Sequence, residues 1–301
     1  MAGRCRVIVV CGHEAAYGRA VADLTGPDVT VVPGGRELFR CLAELGRRGE
    51  ESCVVPMTLG RDPELVADTA RTLRALPAKD RAGTVLAEPF GTAQHLVGWL
   101  RAAAGRVPAS DALLVTAPSG DPFEDAELYR VASLVRRYGN HPLVEVAFTG
   151  GDPDPAQGVR RCLLLGAARV VVLPAAFAVP GVPEVPGARV TVAGPPVSRS
   201  ALLRVLAERV FDALRRREHG DDGIAAGLGA ADHHGHHHTH PPGEGHEHGH
   251  EHGHEHGQAP GHSHGHVHVP AHGGGRHDDS HEHPHQHPHA PGAGHVLRSS
   301  A

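Results

Sequence analysis

Arg6-Val7-Ile8-Val9-Val10-Cys11-Gly12-His13-Glu14 decides the fold. Four aliphatic residues in a row leave no polar face, so a strand here is buried on both sides. Such strands belong to parallel sheets covered by helices. Runs of the same kind recur at Val29-Thr30-Val31-Val32, Cys53-Val54-Val55-Pro56 and Thr84-Val85-Leu86-Ala87, separated by longer amphipathic stretches. This alternation predicts strands at about 6–11, 29–32, 52–57 and 83–88, with helices at about 14–24, 36–48, 63–75 and 92–104.

From residue 111 the order starts again. Ala112-Leu113-Leu114-Val115-Thr116 takes the place of the first strand, with a helix expected over about 122–138. Leu143 to Phe148 stands for the second strand, Val170 to Pro174 for the third and Ala188 to Pro195 for the fourth, before a closing helix. A period of about 105 residues is too long for a solenoid unit and points to duplication of one domain. The expected class is α/β: two tandem lobes, 1–106 and 107–218, each a small parallel sheet flanked by helices. A disordered tail is expected over 219–301, because hydrophobic periodicity stops after Arg217 and Gly, Pro, His and acidic residues take over.

The formal net charge of -5 offers no basic excess to neutralise phosphates, and aromatics are 3% of residues. Both observations argue against nucleic acid. Cys5, Cys11, Cys41, Cys53 and Cys162 form an odd, scattered set without C-x-x-C, as expected of reduced thiols in a cytoplasmic protein. The run Val7–Cys11 is too short for a signal peptide or a membrane span, and no other segment reads as one.

Of the 28 histidines, 24 lie between His233 and His295. The densest run carries His246, His248, His250, His252, His254 and His256 as expected metal ligands. Imidazole is largely deprotonated near neutral pH and donates a lone pair to Co, Ni, Zn or Cu, with affinity in Irving–Williams order rather than selectively. The interleaved Glu247, Glu251 and Glu255 either add oxygen ligands or keep the segment soluble.

In open parallel sheets ligands bind at the carboxyl ends of strands. His13 falls there after the first strand, as a ligand and base or merely a helix-start residue. After the third strand, Asp62 fits an N-cap and Pro63 the first helical position. Glu64 then lies in the first turn, where the helix dipole favours an acid whether or not it is catalytic. His95 and His141 read as structural, having no partner at ligand spacing, and Cys11 reads as a buried strand residue.

Gly12-His13, Pro56-x-x-Leu59 with Asp68 and Ala87-Glu88-Pro89-Phe90-Gly91 together resemble the CbiX-type sirohydrochlorin chelatases. Ser119-Gly120-Asp121-Pro122, Val144 to Phe148 and Leu165-Gly166 are similar to that family's second repeat, so the resemblance covers about residues 5–215. It implies a lyase that inserts a divalent metal, cobalt first and iron or nickel as alternatives, into sirohydrochlorin in cobalamin or tetrapyrrole biosynthesis, without ATP or any nucleotide. His13 matches one family histidine, and Glu64 stands in place of the second. The implied site is His13 and Glu64 as catalytic groups, His13, Glu14 and Glu64 as metal ligands, and Arg61 pairing with carboxylates of the ring. Ala117, where His13 would repeat, implies a single site in the first lobe. Partners would be the tetrapyrrole, divalent ions, and a metal donor or downstream tetrapyrrole enzymes. The alternative from another class is a non-catalytic metal store or delivery protein with a degenerate chelatase core.

Overall fold

A computed structural model describes residues 5–232. Two four-stranded, all-parallel sheets share one topology, with orders β2-β1-β3-β4 and β6-β5-β7-β8. The first lobe runs β1 (Arg6–Cys11), a 3-10 segment (His13–Gly18), α1 (Ala22–Thr25), β2 (Val29–Pro33), α2 (Arg36–Arg47), β3 (Ser52–Met57), α3 (Pro63–Arg74), α4 (Ala78–Arg81), β4 (Thr84–Leu86) and α5 (Ala93–Ala104). The second runs β5 (Ala112–Pro118), α6 (Pro122–Arg137), β6 (Val144–Thr149), α7 (Pro155–Leu164), β7 (Val170–Pro174), β8 (Val190–Val192) and α8 (Arg199–Glu218), followed by α9 (Ile224–Leu228). Register aligns Val9 with Val31 and Val55 in the first sheet, and Val115 with Val146 and Leu173 in the second. These central residues are all buried or nearly so, as continuous aliphatic runs require.

The expected helix over 14–24 does not form as one piece. Ala16 (φ 49°) and Tyr17 (φ 54°) adopt left-handed backbone, followed by Gly18 at φ 97°. Each such non-glycine residue costs of order 1–3 kcal/mol and persists only where its surroundings hold it. Here the Tyr17 N–H donates to the Gly12 carbonyl at 2.9 Å, and a further contact comes from the other lobe, where the Phe177 N–H donates to the Glu14 carbonyl at 3.0 Å.

The lobes are not separate bodies joined at residue 106. One core cluster takes Val9, Val55 and Val85 from the first sheet and Leu113, Val115 and Leu173 from the second. The closing helices cross over: α5 packs on α6 and β7 of the second lobe, while α8 packs on β3 and β4 of the first. Arg209 and Arg216 of α8 pair with Glu88 at 3.1 and 3.5 Å, and Phe90 meets Phe177 edge to face at 5.3 Å between centroids.

The expected tail boundary at 219 is also displaced. After Gly220 the chain returns to the first lobe, the Asp222 carbonyl accepts from the Leu86 N–H, and α9 lies on α3. Ile224 is buried there with Leu65, Leu73 and Leu86. The segment is short and glycine-rich, which hides a helix held by packing rather than propensity. His233 to Ala301, including the expected ligands His246 to His256, lie outside the described residues. No helix among those described is long and apolar enough to cross a membrane. The five cysteines are free, with Cys11, Cys53 and Cys162 pushed up to about 12 by burial.

Candidate functional site

In each sheet the chain leaves the central strand toward one neighbour and returns on its other side, which opens a crevice at the carboxyl ends of β1 and β3, and of β5 and β7. The loop after β1 carries His13, the loop after β3 carries Asp62, and the turn after β5 leads into Glu124 on α6. Ligand atoms of these three side chains all lie within 4.8 Å of one another.

Asp62 does two jobs with two oxygens. Oδ1 accepts the Leu65 N–H at 2.8 Å as N-cap of α3, and Oδ2 sits 3.1 Å from His13 Nδ1. Gly12 makes this approach possible, since a Cβ there would lie 2.5 Å from Asp62 Oδ2. A carboxylate on Nδ1 holds the imidazole in the tautomer whose Nε2 carries the lone pair. Nε2 is buried without a hydrogen-bond partner and lies 3.7 Å from Glu124 Oε2.

Glu124 is fixed in turn by a capping box. Asp121 caps α6, and Glu124 Oε2 accepts the Asp121 N–H at 3.1 Å. Burial pushes the Glu124 carboxyl up to about 7; the Asp62 charge adds to the rise and His13 opposes it. The hydrogen bond to Asp62 raises the His13 pKa against the lowering effect of burial, with the charges of Asp62, Glu124 and Glu14 adding to the rise. The three groups thus form a buried-edge site of one nitrogen and two carboxylates, a donor set suited to a divalent ion.

Three expected site residues lie elsewhere or serve differently. Glu64 faces outward on α3, whose buried face is Leu65, Val66 and Thr69, and its carboxylate pairs with Arg71 at 2.9 Å. Glu14 is fully buried and clamps the β3–α3 loop by accepting from the Thr58 hydroxyl and, at 2.9 Å, the Leu59 N–H. Its pKa is raised by burial, against the nearby Arg61 charge. Arg61 has a fully buried side chain, directed at the second lobe rather than at solvent, so it cannot pair with carboxylates of a surface-bound ring. His95 caps α5 and stacks on Trp99, and His141 lies between the carbonyls of Asp111 and Ala104, both structural placements.

The sequence presents Asp62 as a cap and carries no local sign of a second role for Glu124. Each does cap a helix, and that role conceals the second one. The available signal was the repeat itself: aligned on strand ends, the turn after β5 occupies the place of the His13 loop. The site therefore draws on both lobes rather than on the first alone.

Beside Gly12 a cavity of about 740 Å³ opens between the ends of β1 and β2 and the faces of α2 and α3, lined by Tyr17, Gly35, Arg36, Phe39, Leu65 and Arg71. Its size falls in the usual range for small-molecule sites, about 300–1,000 Å³.

No family profile matches the chain. Over 70 residues it is 39% identical to a sirohydrochlorin cobaltochelatase of Priestia megaterium. That similarity spans 22% of this chain and 23% of its relative, under a quarter of either.

Proposed function

We propose that this chain inserts a divalent metal into a cyclic tetrapyrrole, with sirohydrochlorin as the ring and cobalt as the first choice of ion. The observation that carries this reading is the convergence of His13, Asp62 and Glu124 from the loops after β1 and β3 and the turn after β5. The partial likeness to a cobaltochelatase supports the choice of ring and metal.

Metallation releases two pyrrole N–H protons as the ion enters the ring. His13 and Glu124 can each take one, and each would hold the ion before that. Protons leaving the ring then replace the metal on the same two atoms, so ligand loss and deprotonation become a single exchange. No group in this scheme needs phosphoryl energy, which is why the reaction is proposed to run without ATP. A base with a pKa near the working pH is the efficient choice, and Glu124 at about 7 meets that requirement.

The test is the absorbance of sirohydrochlorin mixed with Co²⁺, Ni²⁺ or Fe²⁺ and the protein. Spectral conversion faster than the spontaneous rate is expected, with His13→Ala reducing it by about 10²-fold or more, as for loss of a general base. No acceleration with any of the three ions, or full activity in His13→Ala, overturns the reading. A second reading, metal storage or delivery without catalysis, is favoured by the 24 histidines between His233 and His295. It predicts tight metal binding with no acceleration of metallation.

A further inference from the structure

We propose that Arg61 is a positioning residue whose buried guanidinium draws the start of α6 onto the β3–α3 loop, so that Glu124 of the second lobe reaches an ion held at His13. This rests on the chelatase reading for its kinetic arm and on the geometry alone for its structural arm.

Arg61 and Asp62 are neighbours on one loop, and they point to opposite partners. Asp62 reaches back within its own lobe to His13 Nδ1. Arg61 reaches across: Nε donates to the Glu124 carbonyl at 3.2 Å and Nη2 to Asp125 Oδ1 at 3.3 Å. Asp125 in turn accepts from the Ser119 hydroxyl at 2.9 Å and the Gly120 N–H at 3.0 Å, which fixes the turn between β5 and α6. The guanidinium therefore grips the backbone of Glu124 itself and the side chain of the next residue. Glu14 holds the near end of the same loop through Thr58, whose hydroxyl oxygen accepts the Gly60 and Asp62 N–H groups. A chain of hydrogen bonds thus runs from the residue after His13, through the loop, to the residue that brings the third ligand.

A planar fork with donors aimed in two directions suits this task, and a lysine point charge does not. Nε and Nη2 carry the contacts of the guanidinium to the start of α6, while Nη1 is buried and makes no hydrogen bond among the described residues.

The experiment compares the full-length wild type with Arg61→Met, Arg61→Lys, Asp125→Asn and Glu124→Gln. Arg61→Met is expected to raise the KM for Co²⁺ in sirohydrochlorin metallation by about 10–100-fold, the range for lost outer-shell partners of a metal ligand, with a smaller change in kcat. Arg61→Lys restores only part of this loss. Combining Arg61→Met with Glu124→Gln should cost no more than Glu124→Gln alone, since both act through one carboxylate. Crystals soaked in Co²⁺ give the second arm, with anomalous scattering placing the ion. In wild type the ion should sit on His13 with Glu124 as ligand, and in Arg61→Met Glu124 should have left it. An unchanged KM, additive losses in the double variant, or Glu124 still on the ion in Arg61→Met each overturn the proposal. If wild type does not metallate the ring, the chelatase reading fails and the crystals alone decide the role of Arg61. If no ion occupies the cluster in wild type, both fail. Should Arg61→Met not fold, Asp125→Asn takes its place, because Asp125 is partly exposed and leaves the arginine intact.

Discussion

Replacing Glu124 with glutamine should stabilise the metal-free protein at alkaline pH while weakening its hold on metal. Glutamine keeps the volume and the N3 capping bond to the Asp121 N–H, so α6 is not perturbed. What changes is titration. The folded-state pKa is pushed up from 4.5 to about 7 by burial. A carboxyl raised in this way binds protons more tightly folded than unfolded. Its contribution is therefore fully present below about pH 4.5 and is lost as pH rises through about 7. At about 1.4 kcal/mol per tenfold change in proton affinity, ionising Glu124 in the fold costs about 3 kcal/mol. Denaturant unfolding in the presence of chelator should show Glu124→Gln gaining about 3 kcal/mol on wild type between about pH 4.5 and pH 8.5. His13, also raised in the fold, acts in the same sense above its unfolded value of 6.5, and more so in wild type, where the Glu124 charge adds to its rise. With saturating Co²⁺ the order should reverse, because the ion replaces the proton on a carboxylate that glutamine lacks. A difference between the two proteins that stays constant across pH would refute the coupled, buried-edge site described above.

Glu64→Gln should leave metallation within about twofold of wild type and stability within about 1 kcal/mol, as for an exposed ion pair; a larger loss of turnover would return Glu64 to the site. Gly227→Val should detach α9, since a Cβ there would lie 2.5 Å from Leu86 Cδ2 and 3.0 Å from Ala70 Cβ. The expected cost is about 1–3 kcal/mol, and an unchanged thermal midpoint would show that α9 does not pack on the first lobe. Truncation after Asp232 should preserve turnover at saturating Co²⁺ and lower it when the metal is scarce. Abolished turnover with abundant metal would place the histidine tail in the chemistry itself.

The sheets were legible because unbroken aliphatic runs have one reading when they recur between amphipathic stretches. His13 was legible for a related reason: the end of a buried strand fixes where the next side chain emerges. Glu124 and Asp62 were not, since an acid near a helix start already has a local explanation in capping and the dipole. Arg61 is hidden in the opposite way. An arginine in a loop is expected at the surface, and only the facing lobe, far along the chain, could show it buried against Asp125. The broken helix over 14–24 has in part the same origin, since the Glu14 carbonyl accepts from the Phe177 N–H of the second lobe. Contacts between lobes, in general, were what the linear pattern left out.

The exchange of α5 and α8 between the lobes also limits how the molecule can move. A clam-shell opening would peel each sheet away from a layer lent by its neighbour, exposing Leu96, Leu100, Leu202 and Leu206 to water. At about 1.5–3 kcal/mol for each such side chain, that gape is closed off thermodynamically. The two halves form a fixed vice that keeps the loops after β1 and β3 and the turn after β5 in register.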